Sequence, residues 1–187
     1  MTDDTTPADH GSAAADETDR QQVAKLIEGQ LPWDELRNDV LPDPKDPHRF
    51  EVTREILQEK VDWDDPILVP LNDHLYAVGT DDGRRVRCEC GYEFCALDEH
   101  WKEYARVRIR EDVEEMEEIY PEHQTPHPDW TFQLREWFCP GCFAQVDVDA
   151  VPAGYPVKRG FEPDVDAFYE AWLGRPAPDR RDGEAAD

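Results

Sequence analysis

The sequence predicts an α+β fold: a small antiparallel sheet, a zinc-ribbon-like four-cysteine centre and peripheral helices. Three observations support this prediction. Apolar and polar residues alternate in several short segments, as in half-buried strands. Two other segments place apolar residues at helical spacing beside residues that favour helix ends. Finally, all five cysteines fall into two clusters, "RCECGYEFC" at 87–95 and "FCPGC" at 138–142.

Helices are predicted near both ends of the chain. The first covers 19–29, with Val23, Leu26 and Ile27 on one face and Gly29 as its stop. The second covers 46–60, where Asp46 can cap and Pro47 suits the first helical position. Its apolar face consists of Phe50, Ile56 and Leu57. Further helices are expected at 112–120 and in the late segment where Val165, Phe168, Tyr169 and Trp172 recur before Gly174.

Strands are predicted between these helices. "TDDGR" at 80–84 is a hairpin signal, because Asp and Gly favour tight turns between strands. The predicted strands are 67–71, 74–79, 84–88, 104–110, 130–139 and 144–151.

Composition sets limits on partners and location. The 45 acidic and 20 basic residues give a net charge of −25, which opposes binding to nucleic acid. A charge of this size is tolerable where salt screens it, so we expect a halophilic host. No apolar run is long enough to cross a membrane, and the first residues lack the features of a signal peptide, so a cytoplasmic location is expected. The polar, acidic ends predict disordered tails at 1–18 and 179–187 around a single zinc-binding α+β domain at 19–178.

The cysteine spacing indicates a metal site. Cys88 and Cys90 form C-x-C before Gly91, and Cys139 and Cys142 form C-P-G-C. Two such turns can direct four thiolates to one point, the arrangement that Zn²⁺ favours in closed structural sites. The preferred ligand set is therefore Cys88, Cys90, Cys139 and Cys142.

Other readings of the cysteines stay open. Iron could occupy the same cage. Cys139 and Cys142 could form a thiol–disulfide couple, or all the thiols could be unligated. Cys95 is either a buried free thiol or a ligand in place of Cys88 or Cys90, and His100 is a weaker substitute.

No residues are predicted to be catalytic or to bind an organic cofactor. The sequence has no phosphate-binding glycine loop. The adjacent acids of "WDDP" at 63–66 are expected to be surface or capping residues. His123 and His127 are four residues apart, but the prolines around them favour an extended loop over a ligand helix. The six tryptophans suit either a core or an interface with other subunits.

Longer motifs carry a resemblance to a known family. In order they are "DPHRFEVTREILQEKVDWDDPILVPL", "RCECGYEFC", "HWKEYARVRIRE", "EEIYPE", "REWFCPGC" and "YPVKRGFEPDVDAFYEAWLG". Together they resemble the gamma subunit of acetone carboxylase from about residue 23 to residue 178. The small zinc-binding subunit of acetophenone carboxylase is similar too. The acidic extension before Asp19 departs from the family pattern.

This resemblance implies a non-catalytic zinc subunit in a hetero-oligomer with alpha and beta subunits, two of each. The larger subunits are related to hydantoinases and would hold ATP and Mn²⁺ or Mg²⁺. The complex would be an ATP-dependent ligase that joins bicarbonate to acetone, giving acetoacetate. ATP would activate the ketone as an enol phosphate and bicarbonate as carboxyphosphate. The four preferred cysteines fall on the family's two cysteine turns, and Cys95 falls on a nearby family cysteine.

Two functions of other classes remain as alternatives. One is a zinc-ribbon adaptor in transcription or RNA metabolism, which the net charge opposes. The other is a small thiol–disulfide protein using Cys139 and Cys142.

Overall fold

A computed structural model describes residues 12–40, 46–120 and 132–179. The chain divides into two compact units, Met1–Leu57 and Gln58–Asp187. The domain bounds predicted from composition remain a prediction. None of the helices in the described ranges is long and apolar enough to cross a membrane.

The first unit is helical. Its described elements are α1 (Ser12–Ile27), α2 (Trp33–Glu35), which continues as a π-helical turn over Leu36–Val40, and all but the last two residues of α3 (Pro47–Glu59). α1 begins seven residues before the predicted start of the first helix. The Ala-rich start of α1 explains the difference, because Ala has the highest helix propensity. Residues 1–11 and 180–187 of the predicted tails lie outside the described residues.

Helix ends in this unit follow the predicted signals. The backbone N–H of His48 donates to Asp46 Oδ1 at 2.9 Å, so Asp46 caps α3 ahead of Pro47. Gly29 adopts a φ of +64° just after α1. The buried face of α3 consists of Val52, Ile56 and Leu57, with Phe50 only half-buried. Val52 therefore replaces Phe50 in the predicted apolar face, where it packs with Val23 of α1.

The second unit contains two antiparallel sheets. The first has the order β1-β2-β3-β4 and the second the order β5-β6-β7. The strands are β1 (Ile67–Asn72), β2 (Leu75–Thr80), β3 (Gly83–Cys88), β4 (Glu93–Ala96), β5 (Arg106–Arg110), β6 (Phe132–Phe138) and β7 (Gln145–Pro152). The α+β prediction is confirmed, although two small sheets take the place of one. The 80–84 hairpin is also confirmed, since Thr80 pairs with Gly83 across the turn.

Short helices connect and flank these sheets. They are a 3₁₀ turn (Trp101–Glu103), α4 (Val113–Glu117) and α5 (Val165–Phe168), which continues as a π-helical turn over Tyr169–Leu173. Gly174 ends the last helix with a φ of +67°, as predicted. Fully buried Tyr169 donates its hydroxyl to the Leu68 carbonyl at 2.7 Å, which anchors this helix to β1.

One core cluster joins the two sheets. Its apolar residues come from β2, β3 and β4 on one side and from β6 and β7 on the other. The members are Leu75, Val86, Cys88, Phe94, Cys95, Trp137, Cys139 and Val146. The hairpins β3–β4 and β6–β7 therefore lie side by side, and each carries one cysteine pair in its turn.

Candidate metal centre

The first cysteine turn follows β3. The Cys88 N–H donates to the Tyr92 carbonyl at 2.9 Å, and the Gly91 N–H donates to the Cys88 carbonyl at 2.9 Å. Gly91 has a φ of +90°, a conformation that favours glycine. The tight turn therefore brings Cys88 and Cys90 to the same end of the hairpin, although their spacing is shorter than the usual C-x-x-C.

The second turn, between β6 and β7, has a related pattern. The Cys139 N–H donates to the Ala144 carbonyl at 2.9 Å, and the Phe143 N–H donates back to the Cys139 carbonyl at 2.9 Å. Phe143 itself has a φ of +61°. Each turn thus closes with its first cysteine hydrogen-bonded across the hairpin and both thiols directed to one side.

The two turns bring four sulfurs together. The Sγ atoms of Cys88, Cys90, Cys139 and Cys142 all lie within 4.8 Å of one another. Cys88 Sγ is 3.8 Å from Cys142 Sγ, and Cys90 Sγ is 3.7 Å from Cys139 Sγ. Sulfurs about 2.3 Å from a tetrahedral Zn²⁺ lie about 3.8 Å apart. A disulfide would instead require about 2.05 Å, so the spacing fits a tetrahedral metal cage and not a disulfide.

Backbone amides are directed at these sulfurs. The Gly141 N–H donates to Cys139 Sγ at 3.3 Å. In the same pattern, the N–H two residues further along the chain acts to lower the pKa at Cys88, Cys90 and Cys142, although the effect of burial is larger at Cys88 and Cys90. Amide donors stabilise negative charge on sulfur, so all four positions are built for thiolates.

Without a bound cation, the surroundings of the sulfurs disfavour negative charge on them. Burial raises the pKa of Cys88 and Cys90. Burial acts in the same direction at Cys142, but the Ala144 N–H and the neighbouring thiols bring its pKa below the usual value. Four adjacent thiolates need a compensating positive charge, and a divalent ion bound by all four would supply it. The donor set therefore fits a thiophilic metal.

Aromatic side chains fix the two turns. Trp63 donates its indole N–H to the Glu89 carbonyl at 3.1 Å. On the other turn, a Cβ added at Gly141 would lie 2.9 Å from Tyr92 Cβ, so only glycine allows the two turns to approach this closely. The sequence pointed to Trp63 only as one of six tryptophans and did not single out Tyr92, because neither residue belongs to a ligand spacing.

The structure separates the other sequence candidates from this cluster. Cys95 lies on β4 opposite Val86, is 7% exposed and lies outside the four-sulfur group. Burial raises its pKa to about 12, with the nearby Glu99 adding to the effect. His100 is also outside the group, and both of its ring nitrogens are buried without a hydrogen-bond partner among the described residues. His123, His127 and Trp130 lie outside the described residues.

The "WDDP" acids are divided between surface and interior. Asp64 is exposed, whereas Asp65 is partly buried and forms an ion pair with Arg87. The Arg87 guanidinium also lies 5.3 Å above the Trp63 ring. This segment therefore supports the first cysteine turn, a role that its sequence did not reveal.

A buried charge network was missed at the sequence level. Lys102 Nζ contacts Asp147 Oδ2 at 2.7 Å and Asp149 at 2.8 Å. The alternation of β7 was the available signal, since it places both aspartates on the same face as Trp137. Acidic residues on a core-facing side of a strand require a cation partner.

Comparisons with known proteins agree with the motifs. The family model described as acetone carboxylase gamma subunit matches residues 61–173. The acetone carboxylase gamma subunit of Xanthobacter autotrophicus (strain ATCC BAA-1158 / Py2) is 44% identical over 165 residues, covering 87% of this chain and 97% of that protein. The acetophenone carboxylase beta subunit of Aromatoleum aromaticum (strain DSM 19018 / LMG 30748 / EbN1) is 27% identical over 82 residues, covering 43% of this chain and 63% of that protein.

The matched region contains both cysteine turns and all seven strands of the described residues. The first relative extends the likeness over nearly its own whole length. This chain therefore belongs to the acetone carboxylase gamma subunit family.

Proposed function

We propose that this chain is the zinc-binding, non-catalytic gamma subunit of an ATP-dependent acetone carboxylase that forms acetoacetate from acetone and bicarbonate. Family membership supports the enzyme, and the convergence of four sulfurs supports the metal. The zinc ligands would be Cys88, Cys90, Cys139 and Cys142. Their free thiols suit a reducing compartment, which supports a cytoplasmic location.

A structural role follows from the number of ligands. Four thiolates complete a tetrahedral shell and leave no position for water or substrate. The metal would stabilise the joint between the two hairpins, since Cys88 and Cys139 are also members of the core cluster. Catalysis, ATP and Mn²⁺ or Mg²⁺ would then belong to alpha and beta subunits of the hydantoinase-like type, present as two copies of each chain.

Metal analysis of matched cysteine variants tests the ligand set. Cys139 and Cys95 are both buried, 0% and 7% exposed, but only Cys139 lies in the four-sulfur group. We expect one zinc per wild-type chain by inductively coupled plasma mass spectrometry. Cys139→Ser should lose most of that zinc, while Cys95→Ser should retain it.

Three results would contradict all or part of this assignment. Metal-free wild-type protein with five freely titrating thiols would remove the proposed site. If both variants lost zinc equally, the four-cysteine ligand set would not be supported, because either Cys95 is a ligand or any buried serine disrupts the core. Iron in place of zinc would keep the ligand set but overturn the metal.

Complex formation tests the enzyme assignment. The tagged chain should co-purify with two larger subunits expressed from the same genome, and the complex should hydrolyse ATP only with acetone and bicarbonate present. The acetophenone carboxylase relative supplies the competing substrate class. Faster turnover with acetophenone, or a wild-type chain that associates with no larger subunit, would overturn the proposal.

A further inference from the structure

An uncharged group of exposed residues lies on the two cysteine turns, flanked by Glu89 between Cys88 and Cys90 and by exposed Glu93 beside Tyr92. We call it the knuckle face, and its residues share exposure to solvent and the absence of charge. They are Cys90, Gly91, Tyr92, Gly141, Cys142 and Phe143. Charged residues make up 35% of the chain, yet the ten residues 137–146 contain none. Desolvating this face therefore costs less than desolvating the surrounding acidic surface.

Phe143 projects from the centre of this face. It is 63% exposed and has a φ of +61°, a left-handed conformation that is uncommon outside glycine and asparagine. An exposed phenyl group at a strained position adds little to this chain's own core. The turn itself requires this conformation, since the Phe143 N–H donates to the Cys139 carbonyl at 2.9 Å. Glycine would adopt it more readily than phenylalanine, so the phenyl group is not needed to close the turn.

Arg106, the first residue of β5, makes a cation–π contact with the Phe143 ring. Its guanidinium lies 5.3 Å above the ring centre. Arg106 is exposed, and no carboxylate of the described residues forms an ion pair with it, although acids outnumber bases more than twofold in the chain. An aromatic side chain and an arginine presented together are the residue types enriched in interface hot spots.

We infer that the knuckle face docks this chain onto a larger subunit of the carboxylase, with Phe143 inserted into an apolar pocket whose rim carries a carboxylate for Arg106. This inference rests on the proposed function. The partner chemistry follows from the two groups. A phenyl ring needs apolar surroundings, and a guanidinium with no ion pair among the described residues can bind an acid. A second copy of this chain is a poorer match, because each copy carries a net charge of −25 and two such surfaces repel each other.

Docking would also enclose the metal. Cys90 and Cys142 are the exposed members of the four-sulfur group, whereas Cys88 and Cys139 are buried. A partner seated on the knuckle face would cover the two exposed sulfurs. Zinc should consequently be released to a chelator more slowly from the complex than from the isolated chain.

The test replaces Phe143 without disturbing the turn. Phe143→Gly keeps the backbone conformation, since glycine adopts this φ readily, so zinc content should stay at the wild-type value. Phe161→Gly is the matched control, because Phe161 is 64% exposed and lies outside the knuckle face. Each variant is co-expressed with the two larger subunits, and the dissociation constant of the complex is measured by mass photometry after dilution.

We expect Phe143→Gly to raise the dissociation constant about 30-fold, the loss of one interface hot spot. Arg106→Gln should weaken association less, and Phe161→Gly should leave it unchanged. The slower release of zinc in the complex should disappear with Phe143→Gly.

Several outcomes would overturn the inference while leaving the proposed function intact. In one, the wild-type and Phe143→Gly chains bind the larger subunits equally well. In another, Phe161→Gly weakens binding as much as Phe143→Gly does. A wild-type dimer that Phe143→Gly converts to a monomer would identify the face as a contact between copies. Failure of the wild-type chain to bind would instead refute the proposed function.

Discussion

Replacing Lys102 by methionine should destabilise the chain by leaving two carboxylates without their cation. The Lys102 side chain is 4% exposed, and Nζ contacts Asp147 at 2.7 Å and both oxygens of Asp149 at 2.8 Å. It also lies 5.3 Å above the Trp137 ring, whose indole N–H donates to Asp149 at 2.8 Å. Lys102→Met keeps the length of the stem and removes only the charge.

The magnitude follows from the exposure of the two acids. Removing one partner of a buried ion pair costs about 3–5 kcal/mol. The side chains of Asp147 and Asp149 remain 27% and 28% exposed, so water can partly solvate them after the substitution. We therefore expect the free energy of unfolding to fall by about 3 kcal/mol, the lower end of that range. This corresponds to roughly 6–12 °C in melting temperature for a chain of this size.

Urea unfolding of the metal-loaded protein measures this loss by linear extrapolation. Lys158→Met is the control, because it makes the same change in net charge at an exposed position and should cost less than about 0.5 kcal/mol. Adding Asp147→Asn to Lys102→Met should recover part of the stability, since one unpaired charge is removed. Equal stability of Lys102→Met and Lys158→Met would refute this account of the network.

Three further predictions concern the cysteine turns and the surface charge. Gly141→Ala should lower zinc affinity about 10–100-fold, because the added methyl group meets Tyr92 at 2.9 Å and pushes the turns apart. A competition titration with a chromogenic chelator measures this, and Gly160→Ala, where the methyl group enters open space, should leave the affinity unchanged. Cys95 should resist alkylation by iodoacetamide at pH 8, because burial raises its pKa to about 12. The pKa of Cys95 is higher in the folded than in the unfolded state, so its contribution to stability is complete at neutral pH and is lost as the pH rises from about 9 to about 12. Cys95→Val should therefore lose less stability over that pH range. Rapid alkylation of Cys95 in the native protein would contradict the raised pKa. Finally, raising KCl from about 0.1 M to about 1 M should increase the melting temperature. The added salt shortens the Debye length from about 10 Å to about 3 Å and so screens the repulsion within a chain of net charge −25. An unchanged or lower melting temperature would argue against a fold adapted to salt.

Elements defined by neighbouring residues were predicted well. The cap at Asp46, the stop at Gly174 and the 80–84 turn all depend on backbone preferences within a few positions, which the sequence displays directly. The two cysteine turns belong to the same class. Their spacing and their small or turn-prone residues were enough to prefer Cys88, Cys90, Cys139 and Cys142 as a group, while the place of Cys95 stayed open.

Elements defined by partners distant in the chain were not predicted. β4 has only four residues and no strong alternation, and its strand geometry comes from pairing with β3. That pairing places Cys95 opposite Val86, which puts its thiol in the core rather than at the turn. The Lys102 network likewise joins a 3₁₀ turn to a strand more than forty residues away.

The sequence by itself determined the family, the α+β class and which cysteines group in pairs, because these depend on residue identity and short spacing. Only the tertiary structure decided that the two pairs meet with sulfurs 3.7 and 3.8 Å apart, that Cys95 is outside the group, and that Phe143 and Arg106 project together at the surface. The physical reason is that these arrangements depend on the register of two hairpins and on the core between them. Register and packing depend on contacts between residues far apart in the chain, and no local pattern encodes those contacts.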